Sequence, residues 1–256
     1  MFKQTDMRKS FTKRVLVPFF FFITGIMATN GYSQEIPEYD RISTSAGDVV
    51  LNFLGHGSLM FRIGDYAIYI DPVSSFGDYK NLPKADLILV THEHSDHLDL
   101  KLINEIKKEG SLVFTNQKAT EQIGWAIAMR PGDRQEVNSI VIEAVDAYNI
   151  VNMRAPGQPF HPKGSGVGYI LTIGGKRFYV AGDTENTPEM KALTDIEVAF
   201  LPMNLPYTMT PEMVADAARA FKPRILYPYH YGDTDTDELA KLLIGSGIEL
   251  RIRNLK

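Results

Sequence analysis

The sequence predicts an α/β domain of stacked sheets with helices on their outer sides, and three observations lead there. Short runs of β-branched and aromatic residues recur along most of the chain, each closed by Gly, Asp or Pro. A few helical patterns are interspersed among them. Several runs, such as Asp86-Leu-Ile-Leu-Val90, are apolar on both faces, as a strand must be when one face packs on a second sheet and the other lies under a helix. These observations leave a doubly wound single sheet open as well. No repeat, low-complexity segment or linker divides residues 40–256, and 44% hydrophobic with 23% charged residues is an ordinary globular composition for a chain of 256 residues.

In chain order, residues 1–33 form a segment of their own. Lys3, Arg8, Lys9, Lys13 and Arg14 precede an uncharged apolar run over 15–28, followed by small and polar residues up to Gln34. That is the layout of a secretory signal peptide, with cleavage near Ser33 and a periplasmic or secreted product. The competing reading is a permanent anchor, but Pro18 and Gly25 interrupt the run, which is shorter than the ~20 residues that cross a bilayer. Removal of the leader takes away five basic side chains and Asp6, moving the formal charge from −4 to −8. No basic run remains to release counterions from a polyanion, so no nucleic-acid partner is expected. The chain has no cysteine: an exported domain must then be held by its core alone, a lipid anchor has no acceptor, and any metal site must use nitrogen and oxygen donors.

Residues 34–256 are the expected domain. Runs at 49–53, 59–63, 66–70 and 87–90 read as strands, the first three as a meander. Helices are expected at 100–108, ended by Gly110, and at 213–221, where Thr210 can cap and Pro211 can take the first turn. A last helix is expected over about 237–243. Further strands are expected at 112–115, 140–145, 169–173, 178–180, 198–201, 225–229 and 248–252.

The chemistry concentrates in His92-Glu-His-Ser-Asp-His97, which follows the buried-strand run and holds three of the six histidines. In extended backbone the side chains of His92 and His94 share a face while Glu93 points away, so two imidazoles converge on one cation and the chain end offers Asp96 and His97 to a second. The alternative is a polar loop with an accidental histidine cluster. Three imidazoles so crowded repel one another when protonated, and a metal relieves that.

This stretch resembles the HxHxDH signature of the metallo-β-lactamase superfamily. Gly55-His-Gly-Ser58, Asp71-Pro72, Gly182-Asp-Thr184 and Tyr229-His230-Tyr231 follow in the same order as in the branch that contains ascorbate-phosphate lactonase and the phospholipase D acting on N-acyl ethanolamine lipids. The resemblance spans residues 48–232 and implies a four-layered αββα sandwich. It also implies that His92, His94 and His161 hold a first metal, that Asp96, His97 and His230 hold a second, and that Asp183 bridges them. His161 is the least typical of these, lying in Pro159-Phe-His-Pro-Lys-Gly-Ser-Gly166 and not at a strand end. Asp71 reads as a carboxylate that accepts a proton from a ligating imidazole and fixes its tautomer. His56 is implied to face the cleft, holding substrate or donating a proton, and Tyr207 to aim its phenol at a developing oxyanion.

Two divalent ions, with zinc first and manganese or iron as alternatives, would supply a hydroxide nucleophile held between them, and Asp96 or a water would protonate the leaving group. No serine-nucleophile elbow, Walker loop or dinucleotide-binding glycine pattern competes. The expected substrate is a small ester or lactone. A phosphodiester or phospholipid is the alternative, a non-catalytic metal-binding protein the third reading, and hydrolysis of β-lactams a fourth, disfavoured by the lack of cysteine. The cleft near His56, Lys163 and Arg154 separates the first two, by binding phosphate or by offering apolar walls. Oligomeric state leaves no trace in the sequence.

Overall fold

The alternation in the β-type runs is used twice in the computed structural model, which describes residues 37–256, once for each of two seven-stranded sheets. The expected signal peptide lies outside the described residues. Tyr39–Thr44 (β1), Gly47–Gly55 (β2), Ser58–Ile63 (β3) and Tyr66–Ile70 (β4) form an antiparallel meander. Ala85–Val90 (β5), Lys107–Thr115 (β6) and Ile127–Ala128 (β7) extend that sheet in parallel, with Leu100–Ile106 (α1) in the β5–β6 crossover.

The second sheet repeats the plan. Arg134–Val137 (β8) pairs with Ile140–Ala147 (β9), Gly166–Ile173 pairs with β9, and Lys176–Val180 pairs with Gly166–Ile173, all antiparallel. Between these lies a separate small hairpin of Met153–Ala155 (β10) and Gln158–Pro159 (β11), which makes Gly166–Ile173 β12 and Lys176–Val180 β13. Ile196–Pro202 (β14), Ile225–Tyr229 (β15) and Glu249–Leu250 (β16) then continue in parallel. The connections carry helices Pro188–Lys191 (α2), Pro211–Phe221 (α3) and Thr236–Leu242 (α4).

The period of two sorts the side chains into layers. From β4 and β5, Ile68, Ile70, Leu87 and Leu89 enter a core shared with Tyr169, Leu171, Phe178 and Phe200 of the other sheet. Their alternates Ala67, Tyr69, Ile88 and Val90 pack with Leu102, Ile103 and Ile106 of α1. Aromatic rings lock the two sheets together, with Phe61 5.9 Å from Phe178 and Phe53 5.2 Å from Tyr227. On the far side, Val214, Ala218 and Phe221 of α3 cover the second sheet, Phe221 lying edge-on to Tyr179 at 6.1 Å. The layers therefore run helix, sheet, sheet, helix, the αββα sandwich that the resemblance implies. Each fully buried large side chain contributes roughly 1.5–3 kcal/mol, and the core does this without a disulfide.

Thr210 caps α3 by accepting from Met213 N at 3.2 Å, with Pro211 in the first turn, as the sequence predicts. The first helix differs from expectation. It stops at Ile106, because Lys107 already pairs with Ala85, and the next ladder pair is Leu87 with Leu112. The residues between bulge out through Gly110, whose φ is +82°. Ser111 closes the bulge by donating its hydroxyl to Ala85 O at 2.6 Å and accepting Lys108 N at 2.8 Å. Among the described residues no helix is long and apolar enough to cross a membrane.

Candidate metal centre

Parallel neighbours in a sheet finish on the same edge, and this is how distant parts of the chain meet. β5 delivers His92–His97 directly after Val90, β13 delivers Asp183 and β15 delivers His230, while His56 sits in the β2–β3 turn and Asp71 at the end of β4. His56, Asp71 and His230 adopt left-handed backbone, with φ of 52°, 44° and 49°. That conformation is costly for residues with a Cβ and takes the chain out of its strand at these points. Gly182 also has positive φ, +67°, and a Cβ there would lie 3.0 Å from Val167 O and 3.1 Å from Thr91 Cβ, so only glycine lets β13 pass this close to β5.

The donors fall into two groups that share one carboxylate. His94 Nδ1 lies 3.1 Å from His92 Nε2 and 3.3 Å from His161 Nε2. Asp183 Oδ2 faces this group, 3.9 Å from His92 Nε2 and 3.3 Å from His161 Nε2. The other oxygen, Oδ1, is 3.4 Å from His97 Nε2 and 3.7 Å from His230 Nε2. Asp96 Oδ2 completes the second group, 3.4 Å from His230 Nε2 and 3.8 Å from His97 Nε2. The structure adds His56 to that group, its Nε2 3.4 Å from the same oxygen of Asp96.

These separations test whether cations fit. Donors about 2.0–2.1 Å from a tetrahedral ion are roughly 3.3 Å apart, and the spacings above cluster around that value. His97 Nε2 and Asp183 Oδ1 are buried and hydrogen-bonded to nothing, although buried polar atoms normally find a partner. A cation between them supplies one. With imidazoles and carboxylates only, the donor set suits divalent metals that accept nitrogen and oxygen.

The ring nitrogens facing away from the centre set the tautomers. Asp71, fully buried, accepts Thr91 N and Thr91 Oγ1, each at 2.7 Å, and His97 Nδ1–H at 2.8 Å. Since the Thr91 hydroxyl gives its proton to Asp71, it accepts from His92 Nδ1 at 3.0 Å. Asn149 Oδ1 accepts His161 Nδ1–H at 2.7 Å. In all three the Nε2 lone pair is left facing the centre.

Electrostatics follow the same layout. Burial, then the charge of His97, push His92 well below the usual histidine range, and burial lowers His161. His97 goes the other way: burial opposes its charge, but Asp183 and Asp71 outweigh that and raise it well above the usual value. Asp183 and Asp96 resist burial too, held far below the carboxylate range by His230 with His97 and by His230 with His56, respectively.

A cavity of about 340 Å³ opens onto the donors and is lined as well by Arg154, Phe160, Asn204 and Tyr207. Tyr207 thus shares the cavity with the candidate metal donors; its ring meets Phe160 edge-on at 5.1 Å. Lys163, expected at this cleft, instead pairs with Glu189 at 2.5 Å and lies over the Tyr148 ring. Sequence reasoning missed Asn149 and Glu185. Glu185 is fully buried and accepts Ile150 N, Val151 N and Asn152 N at 2.6–2.8 Å and Asn149 Nδ2 at 3.1 Å. Its signal was adjacency: it stands two residues after Asp183. Asn149 carried none.

Known proteins share this fold and site region. The family model described as beta-lactamase superfamily domain matches residues 50–230. A UPF0173 metal-dependent hydrolase of Thermococcus kodakarensis is 31% identical over 222 residues, which cover 80% of this chain and 96% of that protein. A crystal structure described as a candidate metal-dependent hydrolase of Parabacteroides distasonis is 47% identical, with a TM-score of 0.82 over 86% of this chain and 100% of that one. Igni18, described as a metallo hydrolase of the archaeon Ignicoccus hospitalis, is 24% identical with a TM-score of 0.68 over 81% of this chain and 95% of its own, and shares the fold.

Proposed function

The chain belongs to the metallo-β-lactamase superfamily, whose relatives are metal-dependent hydrolases, and we propose that it is an exported dinuclear enzyme that hydrolyses a small ester or lactone. The observation that carries this reading is the division of Asp183, one oxygen toward His92 and His161 and the other toward His97 and His230. His92, His94 and His161 would hold one divalent ion, and Asp96, His97 and His230 the other, with Asp183 shared. Zinc fits this donor set first, manganese or iron next. Bound there, such ions acidify water into a nucleophile at neutral pH and screen the charge that builds on the attacked centre.

The protein's own groups do the rest. Asp96, kept ionised by His230 and His56, is a ligand and an acceptor, so the proton for the leaving group falls to its neighbour His56. The His56 ring is fixed for this by Lys256, whose main-chain oxygen lies 3.1 Å from Nδ1, by stacking on Phe76 at 4.3 Å, and by Nε2 facing Asp96. The Tyr207 hydroxyl, in the same cavity, can donate to an oxyanion. Among the described residues Arg154 is the one Lys or Arg side chain lining this cavity, which favours a carbonyl centre over a phosphodiester, whose charge sits on the reacting group itself. The basic-then-apolar leader supports export.

The test compares a chromogenic lactone or ester with bis-p-nitrophenyl phosphate, using metal-loaded wild type and Asp183→Ala. Faster hydrolysis of the carbonyl substrate, lost in the variant, is expected. Preference for the phosphodiester would replace the substrate assignment, and equal rates for wild type and variant would end the metal-hydrolase mechanism proposed here.

A further inference from the structure

One part of the cavity lining is not used by hydrolysis. Arg154 projects from β10 with its guanidinium 5.5 Å from the centroid of the Phe160 ring, and Phe160 rests edge-on against Tyr207. No carboxylate pairs with Arg154 among the described residues, whereas the nearby Lys118 and Lys163 are taken up by Glu93 and Glu189. The hydrogen bonds of Asn204 and Tyr207 run through their main chains, leaving the amide and the phenol to the cavity. On the segments that carry Arg154 and Asn204, the apolar side chains of Ile150, Val151, Met153 and Leu205 are exposed. Among the described residues the basic side chain of this cavity is thus one guanidinium, held over an aromatic ring.

We infer that Arg154, with Asn204 lining the same cavity, forms a subsite for an anionic substituent of the substrate, a carboxylate or phosphate carried away from the bond that is cleaved. This rests on the hydrolase reading above and narrows it. A guanidinium offers a planar fork of donors that matches a two-oxygen anion, and stacking on Phe160 orders it before the ligand arrives. The cavity is of the size that holds a small molecule. A polyanion would need several basic side chains along a track, and among the described residues Arg154 is the one that lines this cavity. The acidic net charge of the chain, −4 with the leader and −8 without it, does not draw anions from a distance, so their recognition must be built at the site.

The experiment uses metal-loaded wild type, Arg154→Met and Arg154→Lys. Two esters of similar length, neutral p-nitrophenyl hexanoate and anionic mono-p-nitrophenyl adipate, report selectivity as a ratio of kcat/KM. Calorimetry with succinate and with inorganic phosphate reports binding without turnover. The wild type is expected to favour the anionic ester. Arg154→Met is expected to lose that preference and to bind the better anion roughly tenfold to a hundredfold more weakly, with Arg154→Lys between and metal content the same in all three. Whichever anion loses more affinity identifies the substituent as carboxylate or phosphate. Equal anion affinity and equal selectivity in wild type and Arg154→Met, with metal retained, would overturn the subsite, since the anion would then be read by the metals alone. A wild type that binds no metal and cleaves neither ester would sink the hydrolase reading, and the calorimetric comparison would still decide the role of Arg154.

Discussion

His97 and His161 both point at Asp183, and they are held there by different means. His97 leaves a buried parallel strand, and its outer nitrogen meets Asp71, which itself ends the neighbouring strand and is tied to Thr91 of the same turn. Everything that orients it lies within one residue of the two strand ends or on the short turn that carries it. His161 lies beyond a small hairpin, and its outer nitrogen meets Asn149. Asn149 in turn is fixed by Glu185, which also gathers three successive main-chain N–H groups of the same loop. Burying a carboxylate costs several kcal/mol unless its oxygens are satisfied, and here four donors satisfy them. A donor on a strand end inherits its position from the sheet. A donor on this loop has a buried charge that organises the loop.

Breaking the element common to both sides should have the largest effect. Asp183→Ala removes the shared carboxylate, and a loss of several kcal/mol of transition-state stabilisation, roughly a thousandfold in kcat/KM, is expected from steady-state rates on metal-supplied protein. A loss below tenfold would mean that the two groups do not depend on the bridge.

Next come two substitutions that separate the sides. Glu185→Ala leaves buried donors without an acceptor, at about 1–3 kcal/mol for each group left unmade. It should expose the loop over 149–161 to proteolysis and release the ion held by His161 at lower chelator concentration than in the wild type. Asp71→Asn should weaken the other group instead, by roughly 10–100-fold in metal affinity, since the acceptor that fixes His97 is altered. Competitive chelation followed by visible spectroscopy of the cobalt-substituted protein distinguishes the two losses, and identical release curves would remove the distinction drawn between strand and loop.

Asn149→Ala is a smaller cut on the loop side. It takes away the partner of one imidazole while Glu185 keeps its three main-chain donors, so metal affinity at that group should fall roughly 10–100-fold with the thermal midpoint nearly unchanged. A midpoint falling as far as in Glu185→Ala would place Asn149 in the fold and not in the site.

The smallest effect is predicted outside the metal centre, at Asp40, which accepts from Tyr227 and Arg253 and ties β1 to the second sheet. Burial raises its pKa, but these partners win and hold it below the usual value. Its contribution is therefore complete above the unfolded pKa of about 3.9 and is lost as pH falls through the lower folded value. Asp40→Asn should cost of order 1 kcal/mol at neutral pH and less in acid, read from urea midpoints against pH. A difference that grows toward low pH would contradict this sign.

The same contrast accounts for what the sequence made legible. Doubly apolar runs such as residues 86–90 mark strands between two layers, and a histidine run on the end of one marks the edge where candidate metal donors gather, because in both cases neighbours in sequence remain neighbours in space. β1 escaped notice because Asp40, Arg41 and Ser43 surround its single buried residue, Ile42; its role is to pair with β2, which composition does not record. The start of β6 has a helical pattern in sequence, and its ladder pair, Lys107 with Ala85, depends on a residue far back in the chain. Glu185 and Asn149 act across 36 residues, and no local pattern announces a carboxylate that collects main-chain N–H groups from another loop.

Elemental analysis of protein purified without chelator, wild type beside Asp183→Ala, tests most directly whether two donor groups share one carboxylate. About two divalent ions per chain in the wild type, with the variant retaining fewer, is the predicted result. A wild type that holds one ion or none, or a variant that keeps both, would contradict it.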